Sequence, residues 1–136
     1  MPVEGKVFIS VRDEDKDATI DIGRSFIDAG FELVATRGTA DALAKAGLEV
    51  VAVNKVAEGR PHIVDMIKNG EIAMIINTVD DSQSSIRDSY SIRRTALQGR
   101  VTYFTTVAGA RAASYGISQM TDMKVYSVQD SHGLIN

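Results

Sequence analysis

Residues 71–78 read Glu71-Ile72-Ala73-Met74-Ile75-Ile76-Asn77-Thr78, five consecutive apolar side chains that give way at once to an amide and a hydroxyl. A run this short and this uniformly apolar fits a strand covered on both faces, as in a parallel sheet; a strand with one wet face would alternate apolar and polar positions. It is far shorter than the ~20 apolar residues of a membrane span. Parallel strands need helical crossovers, so the flanks should carry helical periodicity, and they do.

Upstream, a helix leads through Pro61, suited to a first helical turn, and ends near Gly70. Downstream, a loop with Asp80, Asp81 and Ser82 precedes a helix from about Ser84 to Leu97. Further out the alternation repeats. Lys6 to Val11 reads as a first strand, and Asp13, Glu14 and Asp15 supply N-cap candidates and negative charge for the next helix start. Ala18, Ile22, Phe26 and Ala29 form one helical face closed by Gly30. Phe31 to Ala35 is a second strand, Thr39 to Ala46 a short helix stopped by Gly47, and Val50 to Val53 a third strand. Val101 to Phe104 is a fifth strand, Val107 to Tyr115 a helix, and Lys124 to Val128 a last short strand. The expectation is an α/β fold, a mainly parallel five-stranded sheet with helices on both faces. One domain should occupy residues 6–128, with 1–5 a linker or expression remnant and 129–136 a C-terminal tail.

Composition narrows the function classes. The 136 residues, 44% apolar, can bury a core without metal or disulfide. Fifteen basic against eighteen acidic side chains, a net charge of −3, argue against a nucleic-acid or membrane-surface binder. Zero cysteines exclude a disulfide framework, a thiolate metal site and a cysteine nucleophile, and two histidines cannot build a three-histidine centre. The first residues lack signal-peptide character, so a cytoplasmic protein is expected.

In open parallel sheets ligands sit beyond the carboxyl ends of the strands, so the residues just past each strand are the informative ones. In order these are Ser10, Arg12 and Lys16; Thr36-Arg37-Gly38-Thr39; Asn54 and Lys55; Asn77 and Thr78; Thr105 and Thr106. Hydroxyls and free amides at a helix start, a glycine permitting close approach and two lysines make an anion site, with a phosphate-bearing small molecule as the favoured ligand. Threonine and asparagine are also common as caps and turn-formers, and surface lysines as solvated charges. There is no Walker loop and no GxGxxG after the first strand. His62, at a helix start, reads as an exposed or locally bonded imidazole, and His132 has no assigned role. Asp80 and Asp81 read as loop-formers or caps. Arg87, Arg93 and Arg94 read as a solvated face or a contact with another domain.

Several stretches carry a resemblance: Ser10-Val11-Arg12, Gly30-Phe31-Glu32-Leu33, Ala35 to Ala40, Asn54-Lys55-Val56-Ala57-Glu58-Gly59-Arg60-Pro61-His62-Ile63, Ile67 to Glu71, Ile75 to Thr78, Ile92-Arg93-Arg94 and Tyr126 to Gln129. Together, over about Gly5 to Val128, they resemble the C-terminal domain of the bacterial carbamoyl-phosphate synthase large subunit. The resemblance implies a methylglyoxal synthase-like, three-layer Rossmann-like sandwich that regulates a ligase of pyrimidine and arginine biosynthesis and is not itself catalytic. It implies UMP as inhibitor and IMP as activator at one site, held by Lys16, Thr36, Thr39, Lys55, Asn77 and Thr78, with Ser10 and Asn54 beside them. Thr105 matches the side on which ornithine binds. Implied partners are the remaining domains of the large subunit and, indirectly, the glutaminase small subunit. No cofactor is implied for this domain; ATP and magnesium belong to catalytic domains absent from the chain.

One departure is Val79-Asp80-Asp81 where family members often carry a further threonine; it removes a hydroxyl and places negative charge near an anion site. The alternative is methylglyoxal synthase itself, acting on dihydroxyacetone phosphate, whose phosphate-binding residues correspond to Lys16, Thr36 and Thr39. Arg60 stands where that enzyme has its catalytic carboxylate, and a guanidinium cannot act as a base. Arg12 stands where it has a histidine. A purely structural or oligomerising module would explain the fold but not the convergent polar groups.

Overall fold

Apolar strand runs with helical crossovers fold as that pattern demands. The computed structural model describes residues 5–54, 62–79 and 83–117. Its strands are β1 (Gly5–Ser10), β2 (Phe31–Thr36), β3 (Val50–Val53), β4 (Ile72–Asn77) and β5 (Thr102–Phe104). Its helices are α1 (Lys16–Asp28), α2 (Arg37–Lys45), α3 (Ile63–Lys68), α4 (Gln83–Gln98) and α5 (107–117), and a 3-10 turn (Asp13–Asp15) enters α1.

The sheet runs β3-β2-β1-β4-β5, and every pairing is parallel. After β3 the chain crosses to the far side of β1, so strand order reverses between β1 and β4. Such reversals open a crevice at the carboxyl edge. Side chains of the central strands alternate between two layers. Val7, Ile9, Leu33, Ala35, Met74 and Ile76 pack with Ile22 and Phe26 of α1, Leu43 of α2, and Ala110 and Ile117 of α5. Phe8, Val34 and Ile75 pack on the opposite face with Ile63 and Ile67 of α3 and Ile92 and Ala96 of α4. The result is the three-layer α/β sandwich expected.

Several local features differ from the sequence expectation for physical reasons. The buried stripe of α1 is Thr19, Ile22, Gly23 and Phe26, whereas Ala18 and Ala29 are half-buried. Thr19 can enter the core because its hydroxyl donates to the Asp15 carbonyl at 2.7 Å. At Gly23 a Cβ would stand 3.2 Å from both Leu33 Cδ1 and Leu48 Cδ1, so the bare backbone sets the close fit of α1. The acidic triplet caps α1 through no side-chain hydrogen bond; it forms the preceding turn. Helix α2 starts at Arg37, two residues before the expected Thr39, with extended Thr36 in the cap position. β3 is apolar in sequence, yet Val51 and Ala52 are exposed, because it is the outer strand. The stops at Gly30 and Gly47 hold, with φ of +100° and +89°. The last expected strand, Lys124 to Val128, lies outside the described residues, as do Pro61, Asp80, Asp81 and His132.

Candidate functional site

Alternation along β1, β2 and β4 that puts Phe8, Val34 and Ile75 in one layer puts Ser10, Thr36 and Asn77 on the same face, one step nearer the carboxyl edge. Ser10 and Asn77 are register partners. The Thr36 hydroxyl donates to Ser10 Oγ at 3.2 Å and lies 3.4 Å from Thr39 Oγ1. Thr39, in the first turn of α2, accepts from the Val11 amide at 3.2 Å. Three hydroxyls therefore converge where β1 ends and α2 begins. Amides of a first helical turn have no acceptor within the helix, so the start of α2 adds outward-facing donors and the positive end of its dipole.

Lys16 completes the group. Its Nζ would stand 3.1 Å from a Cβ placed on Gly38, so the ammonium lies close over the first turn of α2, where a side chain at 38 would press on it. It pairs with Asp13 Oδ1 at 2.5 Å, and that carboxylate is 94% exposed, able to swing away. Ser10, Lys16, Thr36, Thr39 and the Gly38 backbone thus form one donor-rich, cationic cluster at the sheet edge, suited to an anion.

The other expected residues divide. Thr78 is buried and tethers the two central loops: its hydroxyl accepts from the Arg12 amide at 3.0 Å, and its own amide donates to the Ser10 carbonyl at 3.0 Å. Asn77 is buried and turns its amide toward the second half of the sheet, donating to Tyr103 Oη at 2.8 Å and Ser89 Oγ at 3.3 Å. Asn54 lies at the rim, its Oδ1 accepting from Arg37 Nη2 at 3.2 Å. Lys55 lies outside the described residues. Thr105 is exposed beyond β5, two strands away from Ser10, and is not brought into the hydroxyl cluster. Its neighbour Thr106 caps α5, accepting from the Gly109 amide at 3.0 Å.

Sequence reasoning gave no role to Tyr103 or Ser89, because a polar residue in a strand or helix shows its partner only after the sheet order is known. His62 is not a surface residue: it is buried, only 7% exposed, its Nδ1 makes no hydrogen bond among the described residues, and its contact is the local one, Asp65 Oδ2 at 3.8 Å. The bridge between Asn54 and His62 draws that residue into the edge of the sheet. Arg87, Arg93 and Arg94 are exposed, which fits either a solvated face or a contact with another domain. Among the described residues no three His, Asp or Glu side chains form a metal-holding group, and no helix is long and apolar enough to cross a membrane.

Known proteins share both sequence and fold. The carbamoyl phosphate synthase large chain of Ralstonia nicotianae is 51% identical over 132 residues, covering 97% of this chain and 12% of that one. Its counterpart in Xanthomonas campestris pv. campestris is 53% identical over 131 residues, 96% of this chain and 12% of that one. The chain thus spans about an eighth of the length of the curated relatives it matches. A methylglyoxal synthase from Elizabethkingia anophelis shares the fold, with a TM-score of 0.63 at 18% identity over 84% of this chain and 79% of that one. The MGS-like domain family model matches residues 18–105, more than half of the chain, and with the parallel sheet and its helical layers, the chain belongs to the MGS-like domain family.

Proposed function

We propose that the chain is the C-terminal regulatory domain of a cytoplasmic carbamoyl phosphate synthase large chain and binds a nucleoside monophosphate, UMP as inhibitor or IMP as activator, by its phosphate. The observation that carries this reading is the convergence of the Ser10, Thr36 and Thr39 hydroxyls with the Lys16 ammonium at the open first turn of α2. Identity of about half over nearly the whole chain to the large-chain relatives supports it. The phosphate would take the Lys16 ammonium from Asp13 and accept from the hydroxyls and the first amides of α2. Asn77 and Thr78, on the adjoining strand end, would sense the nucleoside side, and Lys55 would add a second charge. Ornithine would bind on the Thr105 side, and the readers of the bound state would be the remaining domains and, through them, the glutaminase subunit.

The test is calorimetric titration of the chain with UMP, IMP and ornithine, with inorganic phosphate as competitor, beside an assay of methylglyoxal formation from dihydroxyacetone phosphate. Saturable nucleotide binding weakened by phosphate, without turnover, is expected. Turnover would replace this reading with the enzymatic one, and absence of nucleotide binding would remove it.

A further inference from the structure

Among the described residues five large apolar side chains are exposed, and three of them belong to α4: Ile86 at 40%, Tyr90 at 68% and Leu97 at 71%. At ~100° per residue these positions fall within about 40° of one another around the helix axis. Ile86 and Tyr90 sit one turn apart and Leu97 two turns further on, all on the side away from Ile92 and Ala96, which bury against the sheet. Arg93 borders them on one side, and Arg94 and Arg87 border them on the other, all exposed. An apolar centre edged by arginine is the composition of a recognition surface rather than of ordinary solvated helix.

We infer that this outer face of α4 docks onto an acidic, apolar-centred surface elsewhere in the longer polypeptide. The inference rests on one part of the proposed function, that the chain is a domain of a large chain about eight times its length. Charge chooses the occupant. In a two-fold pairing of two copies through this face, each copy would bring Arg87, Arg93 and Arg94 to the contact, and two faces of like charge oppose association. A carboxylate-bearing surface satisfies them and leaves Tyr90 and Leu97 to fill apolar hollows. The inner side of the same helix touches the candidate site, since Ser89 Oγ accepts from Asn77 Nδ2 at 3.3 Å. One rigid element therefore joins the strand end that meets the ligand to the face that meets the partner.

The test uses the absence of cysteine in this chain. Single variants Tyr90→Cys, Leu97→Cys and, as the reference on α5, Tyr115→Cys are made both in the 136-residue chain and in the full-length large chain. Maleimide labelling at each position is followed by peptide mass mapping. In the full-length protein, labelling at 90 and 97 should slow about tenfold or more relative to 115, as water-excluded interface cores do. The double variant Arg93→Glu/Arg94→Glu should restore it. Equal rates at all three positions, or slowing that the double variant leaves intact, would overturn the proposal. UMP binding is measured on the same proteins: its loss with protection intact removes the effector reading alone, and its retention with free labelling removes the docking face alone.

Discussion

Lys16 holds two relationships at once, an ion pair with the exposed Asp13 and a place over Gly38 that a larger residue would crowd. Each gives a prediction of opposite sign. Lys16→Ala should weaken nucleotide binding by about 1.5–3 kcal/mol, the value of a charge-assisted hydrogen bond, when measured by calorimetry. Asp13→Asn should tighten it, because the competing carboxylate is gone; an exposed pair is worth up to ~1 kcal/mol, so the gain is a few-fold. Gly38→Ala separates stability from function. Gly38 lies in the first turn of α2, where alanine favours the helix by about 0.5–1 kcal/mol, yet its methyl would press on the Lys16 ammonium. The denaturation midpoint should rise slightly while affinity for UMP falls; a stabilised variant with unchanged affinity would show that the ammonium is not the phosphate ligand.

At the scale of elements, α5 opens on a hydroxyl cap, the Thr106 side chain. Thr106→Ala should cost about 1 kcal/mol, read as a lower denaturation midpoint at unchanged slope, because the Gly109 amide loses its acceptor. This capping bond also shows where sequence reading stops. β1, β2 and β4 were legible because continuous apolarity marks burial on both sides, and the helix stops because Gly30 and Gly47 take the positive φ that other residues avoid. Ser10, Lys16, Thr36 and Thr39 were legible as a group because each directly follows a strand or opens a helix, and β1 and β2 turned out to be neighbours. Asn77 and Thr105 were read from the same rule, but it says only which edge a residue reaches. It does not say that Asn77 turns toward Tyr103, or that β5 lies two places from β1. Nor could an apolar Val50–Val53 disclose that it would be an outer strand, since strand order is settled by which helices cover which layer, not by the strand itself.

For the whole molecule, a net charge of −3 coexists with a site built to attract anions. Long-range charge therefore disfavours the ligand while the local donors favour it, and local donors within a few ångströms outweigh distant charges screened beyond ~8–10 Å. Added salt should weaken UMP binding only through competition at the site, so chloride and phosphate should differ in effect at equal ionic strength. Ligand at a hundred times its dissociation constant should stabilise the chain by about 2.7 kcal/mol. A rise in thermal midpoint with UMP that is absent in Lys16→Ala checks this without an activity assay. Phe26→Ala serves as the contrast. It removes the ring packed edge-on to Phe31 at 5.6 Å and should cost about 3–5 kcal/mol with the intrinsic affinity unchanged.

The reversal of strand order between β1 and β4 has a temporal consequence. The tether from Arg12 to Thr78 closes a loop of 66 residues, whereas the contact between Val11 and Thr39 closes one of 28. During synthesis the first half of the sheet can form the hydroxyl cluster early, but its wall on the β4 side arrives only when the chain has emerged past Thr78. Long loops close late because their entropy must be overcome before any contact rewards it. A ligand that needs both walls would bind only chains that have completed this non-local step, so its affinity reports on folding progress as well as on regulation.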